Sequence, residues 1–132
     1  MARRLGGDYT LTIQDHLSGS KIHLNYRMPT TKEIISYRNG STRREGNQLV
    51  SRTGENRMEH GKLILTGVGD GAFEKQVGGK WAPISSDPKS PHYDPEWKEF
   101  VCENAPDLIE TLAVHVFDAG NQVLPAEDIE GN

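Results

Sequence analysis

Apolar and polar residues alternate along Tyr9-Thr10-Leu11-Thr12-Ile13-Gln14, and the alternation returns in Ile22-His23-Leu24-Asn25-Tyr26-Arg27-Met28 after the turn-rich residues 15–20. A two-residue period puts every second side chain on one face of a strand. The short connection containing Gly19 makes the two runs antiparallel neighbours, so Tyr9, Leu11 and Ile13 share a face with Ile22, Leu24, Tyr26 and Met28. A lone hairpin is marginal in water, and burying each such side chain contributes about 1.5–3 kcal/mol. This face therefore requires a cover, from a helix of the same chain or from a second subunit.

Pro29 closes the second run, and Thr30-Thr31-Lys32-Glu33 has the pattern of a capping box, which predicts a helix carrying Ile34, Ile35, Tyr37 and Arg38. Asn39-Gly40-Ser41 interrupts its short stripe, and the pattern leaves open whether the helix continues over 42–49. A second helix is predicted over 54–65, with Met58, Gly61, Ile64 and Leu65 on or near one face, ended by Thr66-Gly67. Residues 67–93 read as a long loop, because five glycines from Gly67 to Gly79 are followed by Pro83, Pro88 and Pro91; Phe73, Val77, Trp81 and Ile84 are expected to pin parts of it down. Asp94 and Pro95 predict a cap and first turn for a helix running through Trp97, Phe100 and Val101 to Glu103, and Pro106 resets the start. The clearest stripe in the chain follows over 106–117, with Leu108, Ile109, Leu112, Ala113, Val116 and Phe117, and this helix is expected to pack under the hairpin. The predicted class is α+β: an N-terminal antiparallel β-hairpin, then a mainly helical region with a long Gly/Pro-rich loop. One domain over 1–120 is expected, followed by an acidic mobile tail over 121–132.

Composition thins this picture. Only 28 of 132 residues are Leu, Ile, Val or Phe, which predicts a small core with loops outside it. After Met1-Ala2-Arg3-Arg4 only Leu5 is apolar before Gly6-Gly7-Asp8, so neither a signal peptide nor a membrane span is read, and a cytoplasmic location is expected. Cys102 is the sole cysteine, which excludes an internal disulfide and a cysteine zinc cluster and suggests a buried structural thiol. Charge is uneven: residues 1–66 hold 11 Lys/Arg against 6 Asp/Glu, residues 67–132 hold 4 against 13, and the whole chain is −4. Such a dipole fits a nucleic-acid patch, head-to-tail self-association, or two halves that attract each other in the fold.

Candidate chemistry is sparse. Gly67-Val68-Gly69-Asp70-Gly71 lacks the GKS or GKT of a phosphate loop, and neither a preceding strand nor a following helix is read; the alternating ligands of a calcium loop are missing around Asp70. His16, His23, His60, His92 and His115 are dispersed, with His92, Asp94 and Glu96 the nearest approach to a metal cluster. No G-x-S-x-G elbow occurs, and the carboxylates after residue 94 alternate with apolar positions as on a solvated helix face. The chain is read as non-enzymatic, with no catalytic, metal-binding or cofactor-binding residue assigned. The arginines stand out instead: Arg27, Arg38, Arg43, Arg44, Arg52 and Arg57 dominate the basic half and are the candidate partner-binding residues. Arginine favours bidentate contact with carboxylates or phosphates. They would bind acidic residues of this chain or of a neighbouring copy, or, in an alternative reading, nucleic acid with a steep salt dependence.

The stretch Tyr26-Arg27-Met28-Pro29-Thr30-Thr31-Lys32-Glu33-Ile34-Ile35-Ser36-Tyr37-Arg38-Asn39, with Gly61-Lys62-Leu63-Ile64-Leu65-Thr66-Gly67 and Ala105-Pro106-Asp107-Leu108-Ile109-Glu110, resembles small proteins of tailed-phage and prophage tail-morphogenesis regions, in particular tail-assembly-chaperone-like proteins. The resemblance spans about residues 9–118 as a layout. It implies a helical protein that binds the tape-measure protein or tail-tube subunits while the tail polymerises, oligomerises, and works in the host cytoplasm, with retention in the virion left open. It implies no catalytic residue and no cofactor, and the hairpin departs from a purely helical picture.

Overall fold

The computed structural model describes residues 2–119, and the tail expected over 121–132 lies outside them. The alternating runs form the predicted hairpin: β1 (Asp8–Gln14) pairs antiparallel with β2 (Lys21–Arg27), with Tyr9 opposite Tyr26, Leu11 opposite Leu24 and Ile13 opposite Ile22. Ile22, Leu24 and Tyr26 are buried, whereas Tyr9, Leu11 and Ile13 are half-buried because β1 is an edge strand.

The capping box forms as predicted. Thr30 Oγ1 accepts from the Glu33 N–H at 3.2 Å, Glu33 Oε1 accepts from the Thr30 N–H at 2.9 Å, and α1 (Thr31–Asn39) follows. Gly40 ends it, and the chain enters a second hairpin, β3 (Thr42–Glu45) and β4 (Gln48–Ser51). The Gly46-Asn47 turn, with Gly46 at φ +61°, is of the kind that matches strand twist. This settles the open question over 42–49 in favour of strands. Next comes α2 (Thr53–Ile64), and without a loop the chain becomes β5 (Leu65–Val68), which pairs antiparallel with β2. Leu65, expected to close the helix, opens this strand instead. The sheet order is β1-β2-β5, with a bulge beside Asn25 and Tyr26.

Residues 67–93 are not one long loop. Within them β6 (Phe73–Val77) and β7 (Lys80–Ile84) form a third hairpin around Gly78-Gly79, whose φ values of +58° and +80° are the left-handed pair a type I′ turn requires. The glycines suggestive of loop are turn residues of a sheet. Phe73 and Ile84 pack inward as expected; Val77 and Trp81 instead point to solvent. The next helix, α3 (Trp97–Asn104), starts later than Asp94-Pro95 suggested, because Asp94 Oδ1 accepts from the Glu96 N–H in a local turn rather than capping the helix.

The striped segment divides into α4 (Pro106–Ala113) and a wider π-turn (Val114–Asp118), so the helix expected over 106–117 changes pitch at Val114. Phe117 stacks on Tyr37 at 4.5 Å between ring centres, and the Tyr37 hydroxyl donates to Asp118 Oδ2 at 2.8 Å, tying this end of the chain to α1. Leu108, Ile109 and Leu112 join Ile22, Leu24, Tyr26, Ile64 and Leu65 in one buried cluster. α4, helped by α2, is therefore the cover that the hairpin required.

Gly61 decides how closely α2 and α4 meet. A Cβ there would stand 2.6 Å from the Ile109 carbonyl oxygen and 2.8 Å from Ile109 Cγ2. Gly61→Ala is expected to cost about 1–3 kcal/mol in urea unfolding through overpacking. Gly54→Ala is expected to be neutral or stabilising, because its Cβ would meet only the end of the Glu110 side chain at 3.3 Å and alanine restricts the unfolded chain.

Candidate functional site

The β1–β2 connection is locked by Asp15. Its carboxylate accepts from the Ser18 N–H at 3.0 Å, the Ser18 hydroxyl at 2.7 Å and the Leu17 N–H at 3.4 Å. The Ser18 bonds hold the Asp15 carboxyl below the usual range, so it is ionised at neutral pH. With the turn fixed, Leu17 projects outward, 80% exposed.

Across from this turn stands the β6–β7 hairpin. Glu74 pairs with Pro83 and Gln76 with Trp81, which puts Glu74 and Trp81 on the same face. The opposite face is anchored: Lys75 Nζ lies 5.0 Å from the centre of the Phe100 ring and 3.5 Å from Asp94. The hairpin base is held by Ser85, whose hydroxyl donates to Asp70 Oδ1 at 2.5 Å. Asp70 thus braces a turn. Contrary to the sequence reading, a strand, β5, leads into the Gly67–Gly71 glycines; the element after them is the β6–β7 hairpin rather than a helix.

Between the Asp15 turn, the β6–β7 hairpin and the start of α4 lies a groove of about 670 Å³. Ile22 and Leu108 belong to its lining together with Ala72, Phe73 and Ala105, while Leu17 and Trp81 contribute two exposed apolar walls. Trp81 is 66% exposed. The charged groups lining the groove are Asp15, Glu74 and Asp107; among the described residues no lysine or arginine lines it. An open apolar trough bordered by carboxylates is suited to a segment that carries both apolar and cationic side chains.

Asp15, His16 and Asp107 also bring three possible metal-ligand atoms within 4.8 Å of one another. The Asp15 oxygens are already engaged by the turn, and His16 and Asp107 are exposed. At the His92 segment, Asp94 is taken up by Lys75 and the Glu96 N–H. His60 is buried, with Nδ1–H donating to the Asn56 carbonyl at 2.9 Å and Nε2 3.2 Å from Ser36 Oγ. Cys102 is buried and its thiol pKa is raised by that burial, as suits a structural thiol.

Of the six arginines, those that pair meet different partners. Arg27 forms a two-pronged pair with Glu33, 2.8 Å on each side, and also donates to the Leu63 carbonyl. Arg52 bridges Glu55 and Glu59. Arg57 lies 3.7 Å from Asp118, and with Arg38 it lines a separate polar recess of about 350 Å³ beside Tyr37 and Phe117. Arg43 pairs with Glu45 along β3. Among the described residues Arg38 and Arg44 make no ion pair. The groove residues Leu17, Trp81, Glu74 and Asp107 do not stand out as a site in the sequence. Their only signal is a tryptophan between glycines and prolines, and that pattern suggests an inward anchor.

Comparison with protein-family models, with curated proteins and with solved structures finds no match to this chain. The fold is α+β, and its most apolar open feature is the groove between the β1–β2 turn, the β6–β7 hairpin and α4. No helix among the described residues is long and apolar enough to cross a membrane.

The Arg27 guanidinium, aided by the Thr30 N–H, lowers the Glu33 pKa from 4.5 to about 2. Since the folded-state value lies below the unfolded one, this contribution is complete above about pH 4.5 and fades as the pH falls towards 2. Glu33→Ala is expected to cost about 1 kcal/mol near neutral pH, with the difference from the parent chain closing across that window in acid-titrated unfolding.

Proposed function

We propose that this chain is a non-enzymatic assembly protein of phage tail morphogenesis, acting through protein–protein contacts and presenting its groove to a segment of a tape-measure or tail-tube subunit. The observation that carries the reading is the groove itself. It combines an accessible tryptophan, the residue type that most often dominates binding energy, with a floor continuous with the hydrophobic core and a border of carboxylates. The resemblance of the 26–39, 61–67 and 105–110 stretches to tail-assembly-chaperone-like proteins supplies the class of partner. The arginine-rich half supports the nucleic-acid alternative less well, because Arg27, Arg43 and Arg52 are engaged by carboxylates of their own chain.

Co-expression with tail-tube and tape-measure proteins, followed by gel filtration, is expected to yield a complex. Trp81→Ala is expected to weaken that complex by about 2 kcal/mol or more while leaving the circular dichroism unchanged, since the ring is largely outside the core. Failure to form any complex, or a complex indifferent to Trp81→Ala and Leu17→Asp, would overturn the proposal. DNA or RNA binding that weakens steeply with salt and with Arg43→Ala plus Arg44→Ala would favour the nucleic-acid reading.

A further inference from the structure

The groove has its chemical complement on the same molecule. In the β3–β4 hairpin Arg44 stands directly opposite Leu49, so their side chains emerge on one face. Leu49 is 70% exposed, and Arg44 makes no ion pair among the described residues. The hairpin forms a two-stranded sheet of its own, and all of β3 is exposed. It therefore presents an apolar side chain beside a cation, the pairing that an apolar groove bordered by Asp15, Glu74 and Asp107 selects.

The hairpin contributes nothing to the groove of its own chain, and its connections are short. Two residues join it to α1 and one joins it to α2, and it shares no lining residue with the groove. A second copy is the occupant that meets both conditions. We infer that the Arg44/Leu49 face of one copy docks into the Trp81 groove of the next, so that the protein associates head to tail. Because the two surfaces differ, a bound pair still leaves one groove and one hairpin open, and the contact propagates into a row or closes into a ring. The inference rests on the groove being a protein-docking surface, as proposed above, and adds the identity of one occupant.

The test uses the full chain and two variants, each altered at an exposed position: Leu49→Glu on the hairpin and Trp81→Arg in the groove. Sedimentation velocity over a concentration series should give a mass that rises beyond a dimer for the parent chain and falls with added salt. Either variant alone should associate at least roughly tenfold more weakly. An equimolar mixture should recover one sound interface, the groove of the Leu49→Glu chain with the hairpin of the Trp81→Arg chain, and should stop at a one-to-one pair. Circular dichroism checks that both variants fold.

A parent chain that stays monomeric would overturn the inference, as would assembly indifferent to both substitutions or a mixture that fails to pair. Leu5→Asp acting as strongly as Leu49→Glu would also overturn it by transferring the role to the exposed Leu5, which follows Arg3 and Arg4. Binding of a tail protein at the Trp81 groove by a chain that remains monomeric would sink this inference and leave the functional proposal standing. Head-to-tail assembly with no tail protein bound would do the reverse.

Discussion

The closeness of α2 and α4 is set at Gly61, where no side chain separates the helix from the Ile109 backbone, and the arrangement above the three-stranded sheet depends on it. A methyl group at that point would stand well inside contact distance of a carbonyl oxygen that cannot swing away, since it belongs to a helix. Close approach lets Ile64, Ile109 and Leu112 reach full burial together. It also sets the start of α4, and with it Leu108 and Asp107, against the β1–β2 turn. One glycine thus bears both on the core and on one wall of the groove.

Around that core the chain spends its charge locally. Arg27 is held by Glu33, Arg52 by Glu55 and Glu59, and Lys62 by Glu99 at 2.5 Å. Pairs at or near the surface contribute little stability, about 0–1 kcal/mol each, but they engage cations that a phosphate backbone would read. The uneven charge of the two halves therefore becomes two local features: a carboxylate border at the groove and an arginine beside a leucine on the β3–β4 hairpin.

Legibility followed range. The β1–β2 hairpin was readable because a period of two repeats over seven residues in each strand. The capping box was readable because Thr30 and Glu33 meet across a single turn. β5 was not readable: four residues, Leu-Thr-Gly-Val, carry too short a pattern, and they continue the apolar run that ends α2. β6 and β7 were hidden for another reason. Their alternation is diluted by Glu74, Lys75, Gln76 and Pro83, since one face of the hairpin is open, and the glycines that turn it look like loop. The arginines were legible as a composition, but not their pairing, which depends on which carboxylate each one meets.

By itself the amino-acid sequence determined the α+β class, the first hairpin and the side chains that share its inner face, the start of α1, and the stripe that makes α4 a core helix. All of these rest on interactions between residues close along the chain or on a repeating period. The tertiary structure alone decided that β5 completes the sheet, that Trp81 faces outward, and that Leu17, Trp81 and Leu108 line a common groove. The reason is physical: a groove is the space left between elements, and its shape depends on how closely α2 and α4 pack and on which face of the β6–β7 hairpin Lys75 anchors to Phe100 and Asp94.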